Sequence, residues 1–590
     1  MEALRESVPL GQFEGIPCSD ILTQAMKTEV FEDAHLREQD RNWSERIDVE
    51  ECISADASEC EDMLKTFAER GLFFCYAKLM SALVGKIPAE VWARRISQDV
   101  GMEDDEAQRL SDFIFQRSHK KLLVFYEDVW LLGGIERVVS VLLNGLKDEY
   151  RLLLVTSKKK NEECPEGFPI PQEALHVHLL WTPRIPLYLQ VATICLAMNA
   201  AMLIGNPNIE QMFMPVYGEL KGTGVKTIAV NHYFYYLPFQ YKPLRHVESV
   251  RRKTLNAADS VVWLTRFSAA CAADLNENTV YIPNPNTFSR MPARTVPKEK
   301  IVMAVGRFYD PLKRIDRVLS IFKKVLEKEP DAKLWLVGQY NGRMVIPGTK
   351  GKRLGKLFYE LNLPEESVVF WGPQKNVLDF YLKSAVLLFP SECEGYGMVV
   401  KEAGVAGTPV VVNDFPGSED IVEQGKNGYR INMYQGDTDE AAECIACLLN
   451  DKQKWLEMSE NSQKLADTTN TETVILKWKQ VIESTLRAKN PEEFKNELLE
   501  AGVLLDYDDK NDCYLRATRF LEQLFAVEKP KEKKTLYFCL LDVFYYLRGV
   551  VIRTRYLLNE IGFRRTCIRL VNKCKRKLRS VSSGVIRKSI

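Results

Sequence analysis

AVLLFPSECEGYGMVVKEAGVAGTPVVVND, residues 385–414, decides the fold. AVLLFPS and TPVVVND are short apolar runs of strand type, and MVVKEAGVAG between them has the length of a helix. Strand, turn, helix, strand is a βαβ unit, whose two strands must run parallel. The strands are apolar throughout instead of alternating, so both faces of their sheet are expected to be covered. Glu394 and Glu402 stand on either side of the apolar run. An unpartnered buried carboxylate costs several kcal/mol, so something polar must meet each one.

The same rhythm extends both ways. LLVFY (122–126), RLLLVT (151–156), HVHLLW (176–181), QMFMPV (211–216), TIAVNH (227–232), SVVWLT (260–265) and TVYIPN (279–284) read as strands that mostly alternate with helix-length segments. After a polar joint near 292–299 the pattern restarts with KIVMAVGRF (300–308), KLWLVGQ (333–339) and VVFWGP (368–373). The expected fold class is α/β, with two tandem Rossmann-like, doubly wound domains and a cleft between them. The expected boundaries are an acidic, helical N-terminal extension over 1–118, a first domain over 119–295, a second over 296–487, and a helical C-terminal extension over 488–590. PLYLQVATICLAMNAAMLIG (186–205) approaches the length of a membrane span. Gln190, Asn199 and its place between strands favour one buried helix instead.

At 590 residues the chain exceeds a single core, and its 80 basic and 80 acidic residues cancel. That balance hides an asymmetry. Residues 1–118 carry 13 basic and 25 acidic side chains, whereas 541–590 carry 13 basic and 2 acidic, so the two ends are expected to meet different partners. MEALRESVPLGQ lacks the pattern of a secretory leader, and the 14 scattered cysteines suit free thiols in a cytoplasmic setting. Cys444 and Cys447 form a lone CxxC, read as core packing, and DTD (437–439) is read as a helix N-cap and DYD (506–508) as a loop, neither as a metal site.

Ligands of such sheets bind where strands end and helices begin. Gly133 and Gly134, after the first strand, open a helix whose N-terminal N–H groups suit an anion. Arg307 and Lys313 follow the strand of AVGRF, and two fixed cations there suit a diphosphate. Glu394 and Glu402 would lie about 12 Å apart along a continuous helix, at ~1.5 Å per residue. An acid–nucleophile pair needs about 5 Å, so they suit the two ends of one elongated ligand. A nucleotide sugar has that shape: Glu394 on the sugar hydroxyls, Arg307 and Lys313 on the diphosphate, Glu402 on both ribose hydroxyls. Gly395 and Gly397 then allow close backbone approach, with Tyr396 between them.

EGYGMVVKE (394–402) resembles the E-x7-E motif of retaining GT-B glycosyltransferases of family 4, the glycosyl transferases group 1. The resemblance runs over about 119–487 through GGIER, VNH, YIPNPN, VGRF with Lys313, WLVGQ, FWG and AGTPVV. It implies retaining transfer of a hexosyl unit from a nucleoside diphosphate sugar to an acceptor hydroxyl, with no cofactor or catalytic metal. It implies Glu394, His232, Arg307 and Lys313 as the catalytic set. Gly133, Gly134, Gly395, Tyr396, Gly397 and Glu402 complete the donor site, and a UDP-sugar is the first donor to consider. Pro285, where the family commonly has glycine, and VGQYNGR, without a second glycine after VGQ, depart from the pattern.

At the C-terminus Cys567, Leu570, Val571, Cys574 and Leu578 fall at helical spacing among Arg564, Arg565, Arg569, Lys573, Lys575, Arg576, Lys577 and Arg579. A basic amphipathic helix can lie on an anionic membrane. The expected partners are thus a nucleotide-sugar donor, a glycan, lipid-linked or polyanionic cell-surface acceptor, and a membrane surface through 541–590, with no nucleic acid. The expected location is the cytoplasm, peripheral at the inner face of the plasma membrane. The rival readings are an epimerase or hydrolase in the same fold, and a catalytically idle nucleotide-sugar-binding or scaffold subunit.

Overall fold

The computed structural model describes residues 34–46, 57–127, 134–158, 168–180, 185–206, 215–236, 248–273, 275–289, 291–339, 354–434, 438–498, 501–505, 512–513 and 516–517. Among the described residues the first α-helices are α1 (Ala34–Arg46), α2 (Ala57–Glu69), α3 (Phe73–Ala82), α4 (Ala89–Ile96) and α5 (Asp104–Phe115). The first sheet and its helices follow as β1 (Leu122–Tyr126), α6 (Gly134–Leu146), β2 (Arg151–Lys158), β3 (Ala174–Leu180), α7 (Leu187–Ala197), β4 (Met202–Gly205), α8 (Val216–Leu220), β5 (Lys226–Asn231), α9 (Glu248–Ala257), β6 (Ser260–Trp263), α10 (Arg266–Ala272) and β7 (Thr279–Tyr281). The second domain contains β8 (Ile301–Val305), α11 (Ile315–Lys328), β9 (Lys333–Val337), α12 (Leu354–Glu360), β10 (Val368–Gly372), α13 (Leu378–Lys383), β11 (Val386–Phe389), α14 (Met398–Val405), β12 (Val410–Asn413), β13 (Gly428–Ile431), α15 (Asp439–Asn450) and α16 (Lys452–Asp467). Helices α17 (Thr471–Arg487) and α18 (Pro491–Leu498) follow, and beyond them the described residues 512–513 and 516–517 are helical too.

The first sheet has strand order β3-β2-β1-β4-β5-β6-β7 and the second β10-β9-β8-β11-β12-β13. Every pairing in both is parallel. Each sheet reverses direction beside its first strand, which makes a crevice at the strand ends there. This is the expected architecture.

Four details differ from the sequence reading. The 186–205 run is not one helix: α7 ends at Ala197, Asn199 turns the chain with φ +49°, and Met202–Gly205 enters the sheet between β1 and β5 as β4. Asparagine tolerates that left-handed conformation, which ends the helix while the apolar run continues. Within QMFMPV, 211–214 lie outside the described residues and Val216 begins a helix. The strand β13, half-exposed in its pattern, had no place in the reading. Of the CxxC, Cys444 packs half-buried against the second-domain core as expected, whereas Cys447 is exposed on α15. Gly133, DYD and the tail 541–590 also lie outside the described residues. Of DTD, Asp439 begins α15, and Thr438 at the N-cap makes no side-chain cap bond.

Helix α7 is apolar all round because it is buried all round. Its outer side meets α3, and Gln190 donates to the carbonyls of Val100 (2.6 Å) and Leu180 (3.1 Å). Leu64, Phe67, Leu79, Trp92 and Leu110 of the acidic N-terminal helices share one core with Val124, Leu153 and Ile194. Asp40 of α1 is buried among them and accepts from the Phe74 (2.9 Å) and Cys75 (3.1 Å) N–H groups. At the other end α17 crosses back, placing Val474, Trp478, Val481 and Ile482 against Leu123, Leu152 and Val230 of the first sheet. No helix among the described residues is long and apolar enough to cross a membrane.

Candidate functional site

The loop after β8 is shaped by its own side chains. Asp310 accepts from the Leu312 N–H at 3.0 Å and starts a single 3-10 turn, Pro311–Lys313, which Arg314 ends with φ +48°. That turn aims Lys313 at the loop after β11, where its Nζ lies 2.5 Å from Glu394 Oε1 and 5.4 Å from the Phe389 ring centroid. Ser391 donates to the same Glu394 oxygen at 2.6 Å. The two loops are stitched together nearby: the Glu392 N–H donates to Leu312 O at 2.8 Å, and the Glu392 carboxylate pairs with Arg314 and with Arg317 (3.3 Å). Arg314 also grips Asp316 with two nitrogens, at 2.9 and 2.7 Å. Ser391, Glu392, Arg314 and Arg317 were not among the expected site residues. The charge alternation of KRIDR was the one signal that could have pointed to the last two.

Arg307 lies apart from this network, 57% exposed and 3.7 Å from Asp310. Lys313 and Glu394 retain 17% and 14% exposure, so a ligand can reach them. An ammonium has three donors, so Lys313 can hold Glu394 and a phosphate oxygen together.

The turn Glu394–Gly397 runs against the end of β5. A Cβ on Gly395 would stand 1.8 Å from the His232 carbonyl oxygen, so only glycine fits. Gly397 has φ +89° and forms the N-cap of α14. Tyr396 does not face the cleft; it is buried in the second domain's core beside Phe389 and Val412. Across the interface, a Cβ on Gly134 would lie 3.1 Å from Met398 Cγ. The N-termini of α6 and α14 therefore meet across the interface, where the positive ends of the two helix dipoles lie close together.

Glu402 sits on α14, 8% exposed. Its Oε1 accepts from Arg137 (2.7 Å) and Thr287 (3.0 Å), and its Oε2 from Tyr381 (3.2 Å). Arg137 comes from α6 of the first domain and lies over the rings of Phe168 and Phe288. Burial raises the Glu402 pKa, and Arg137 opposes that shift most strongly. A carboxylate has about four acceptor positions, and three are taken. The expected grip on two ribose hydroxyls is thus open at one position only, unless Arg137, Thr287 or Tyr381 lets go.

Burial also pushes the imidazole of His232 down to about 4, so it is neutral at pH 7 and can exchange a hydrogen bond with a hydroxyl. His176 on β3 is lowered to about 4 as well, first by burial and then by His178. Both histidines stay neutral in the fold and take up protons on unfolding at pH below the ordinary imidazole value of 6.5. Their contribution to stability is complete above that pH and falls as the solution is acidified toward 4, by at most about 1.4 kcal/mol per pH unit each. Thermal melts between pH 7.5 and 4.5 should show this acid-side loss, and His176→Gln should flatten it; a melting temperature independent of pH across that window would refute the assignment.

Residues 287–465 match the family described as glycosyl transferases group 1. The chain is 28% identical over 232 residues to an uncharacterized glycosyltransferase of Haemophilus influenzae, covering 39% of this chain and 60% of that protein. It is 28% identical over 190 residues to the N-acetyl-alpha-D-glucosaminyl L-malate synthase of Bacillus anthracis, covering 32% and 46%. The matches thus span about half the length of these relatives. Among solved structures, Anabaena HepE in complex with UDP covers 62% of this chain and 100% of its own, at 18% identity and a TM-score of 0.50. The fold of the two sheets is GT-B.

Proposed function

We propose that the protein transfers a hexosyl unit, with retention of configuration, from a nucleoside diphosphate sugar to a hydroxyl of a glycan, lipid-linked or polyanionic acceptor. The observation that carries this reading is the Lys313–Glu394 pair, held by Ser391 at the mouth of the cleft and set against His232 through the Gly395 contact. The UDP in the HepE complex and the glycosyltransferase names of the relatives support a nucleotide-sugar donor, and a UDP-sugar is the first to try.

On this reading the diphosphate lies between Lys313, the exposed Arg307 and the facing helix N-termini. These groups are positioned before the glycosidic bond breaks, so they stabilise the charge that develops on the leaving phosphate without reorganising. Glu394 accepts from the sugar hydroxyls. The acceptor hydroxyl attacks the same face of an oxocarbenium-like carbon, and the leaving phosphate takes its proton. On this reading no metal takes a step. The acceptor enters beside neutral His232, and a cytoplasmic, membrane-peripheral enzyme fits the basic character of 541–590.

One observation favours a second reading. The Glu402 carboxylate is mostly consumed by Arg137, Thr287 and Tyr381, as suits a binding or scaffold subunit that no longer turns over. Calorimetry with UDP-, GDP- and ADP-sugars against wild type and Arg307→Ala separates the two, followed by a product assay with the donor that binds. Binding that Arg307→Ala weakens about tenfold, with sugar released to an acceptor, supports the transferase. Binding without release to any acceptor supports the scaffold, and release to water supports a hydrolase. No binding of any donor sinks the cleft assignment.

A further inference from the structure

The turn that follows β12, Asp414–Asp420, is gripped from two sides by parts of the chain far away in sequence. From the first domain, Arg266 at the start of α10 binds Asp420 through its backbone N–H (2.8 Å) and its Nε (2.7 Å). Thr265, which caps that helix, packs so close that a Cβ on Gly417 would lie 2.8 Å from its methyl. From beyond α18, Arg516 donates through Nη2 to Asp414 Oδ1 (2.7 Å) and to the Phe415 carbonyl (3.2 Å), and its Nε lies 3.0 Å from Glu419 Oε1. Its other cationic neighbour, Arg430, stands farther from the same carboxylates, 3.6 Å from Asp414 and 3.9 Å from Glu419.

The residue after Arg516 touches both domains. Ala517 is buried in a cluster with Phe234 and Phe267 of the first domain and Cys393 of the second, and Tyr233 and Leu312 pack against that cluster. Phe234 lies two residues from His232, Leu312 precedes Lys313, and Cys393 precedes Glu394. Three carboxylates in one turn, Asp420 buried and Asp414 and Glu419 partly so, repel each other unless cations meet them. Arg516 meets two of them, and Ala517 seals the contact beside the reacting groups.

We propose that Arg516 and Ala517, supplied by the C-terminal extension, clamp the Asp414–Asp420 turn to the first domain and hold the donor cleft closed. Arg516 is thus a positioning residue for donor capture. This rests on the cleft being a nucleotide-sugar site, but the clamp itself can be read without a donor.

The test uses the full chain. Hydrogen–deuterium exchange on wild type and Arg516→Ala compares the peptides spanning 262–272 and 412–424, and a donor titration follows with whichever nucleotide sugar binds wild type. The clamp predicts that exchange at the Arg266 N–H, on the opposite domain from the substitution, rises about tenfold or more, the size of one lost charged hydrogen bond. It also predicts that the donor KM rises about tenfold while kcat at saturating donor stays within about twofold. Unchanged exchange at 262–272 overturns the clamp whatever the donor does. Raised exchange with no donor bound by wild type supports the clamp and sinks only the donor assignment. Raised exchange with an unchanged KM overturns the positioning role. Should Arg516→Ala not fold, Arg516→Lys, which keeps the charge and loses the two-nitrogen grip, carries the same comparison.

Discussion

Gly395→Ala is expected to lower kcat/KM at least about a hundredfold and to reduce the melting temperature by several degrees. The added methyl carbon would stand 1.8 Å from the His232 carbonyl oxygen and 2.6 Å from its carbon. Both obstacles are backbone, so no rotamer change relieves the overlap. The loop must retreat from β5, carrying Glu394 away from Lys313 or prising the domains apart. A misplacement of about 1 Å near reacting groups costs on the order of a hundredfold in rate, and overpacking a filled site costs typically 1–3 kcal/mol. The measurements are steady-state kinetics with the donor that wild type binds and a thermal melt. Activity within threefold of wild type would mean that the two loops do not meet in the working enzyme.

The second large effect belongs to Arg137→Ala. Removing the guanidinium leaves the Glu402 carboxylate buried, with only the hydroxyls of Thr287 and Tyr381. Breaking a buried pair from one side costs about 3–5 kcal/mol. Arg137 and Glu402 are 16% and 11% exposed, which places this pair toward the low end. Glu402→Gln in the same chain removes the stranded charge, so the double variant should recover a large part of the loss. The same substitution reports on function, since it frees acceptor positions on Glu402. Donor affinity that rises in Arg137→Ala would mean that Arg137 competes with ribose, and affinity that falls would mean that it orients the carboxylate. Calorimetric melts of wild type, both single variants and the double variant complete the cycle. Additive losses would show that the 2.7 Å contact contributes no coupling.

Much of the fold was legible because parallel, doubly covered strands leave a local trace: short continuous apolar runs spaced by helix-length segments. AVLLF, VVVN and IVMAV become β11, β12 and β8 within a residue or two. The trace failed where two elements shared one character. Helix α7 and strand β4 are both buried on every side, so the boundary at Asn199 left no change in hydropathy for periodicity to find. It also failed at β13, whose middle residues are half-exposed.

At the site, Lys313, Glu394, Gly395, Gly397 and Glu402 carry a local pattern, and the structure brings Lys313 to Glu394 and Gly395 to His232. Tyr396 belonged to the same pattern and turned inward, where its ring packs with Phe389, Val412 and Phe415. Arg137 escaped notice within GGIER, since nothing local distinguishes an arginine bound to a carboxylate 265 positions away from one in solvent.

By itself, then, the sequence determined two doubly wound sheets, their order, and the stretch that would hold polar groups at the strand ends. Those properties follow from backbone period and from the burial of whole faces, which neighbouring residues encode together. Only the tertiary structure decided that Glu402 answers to Arg137, that the acidic N-terminal helices complete the first core, and that Arg516 reaches the turn after β12. Ion pairs and hydrogen bonds act over a few ångströms, and the distances between such residues are set by how the domains dock.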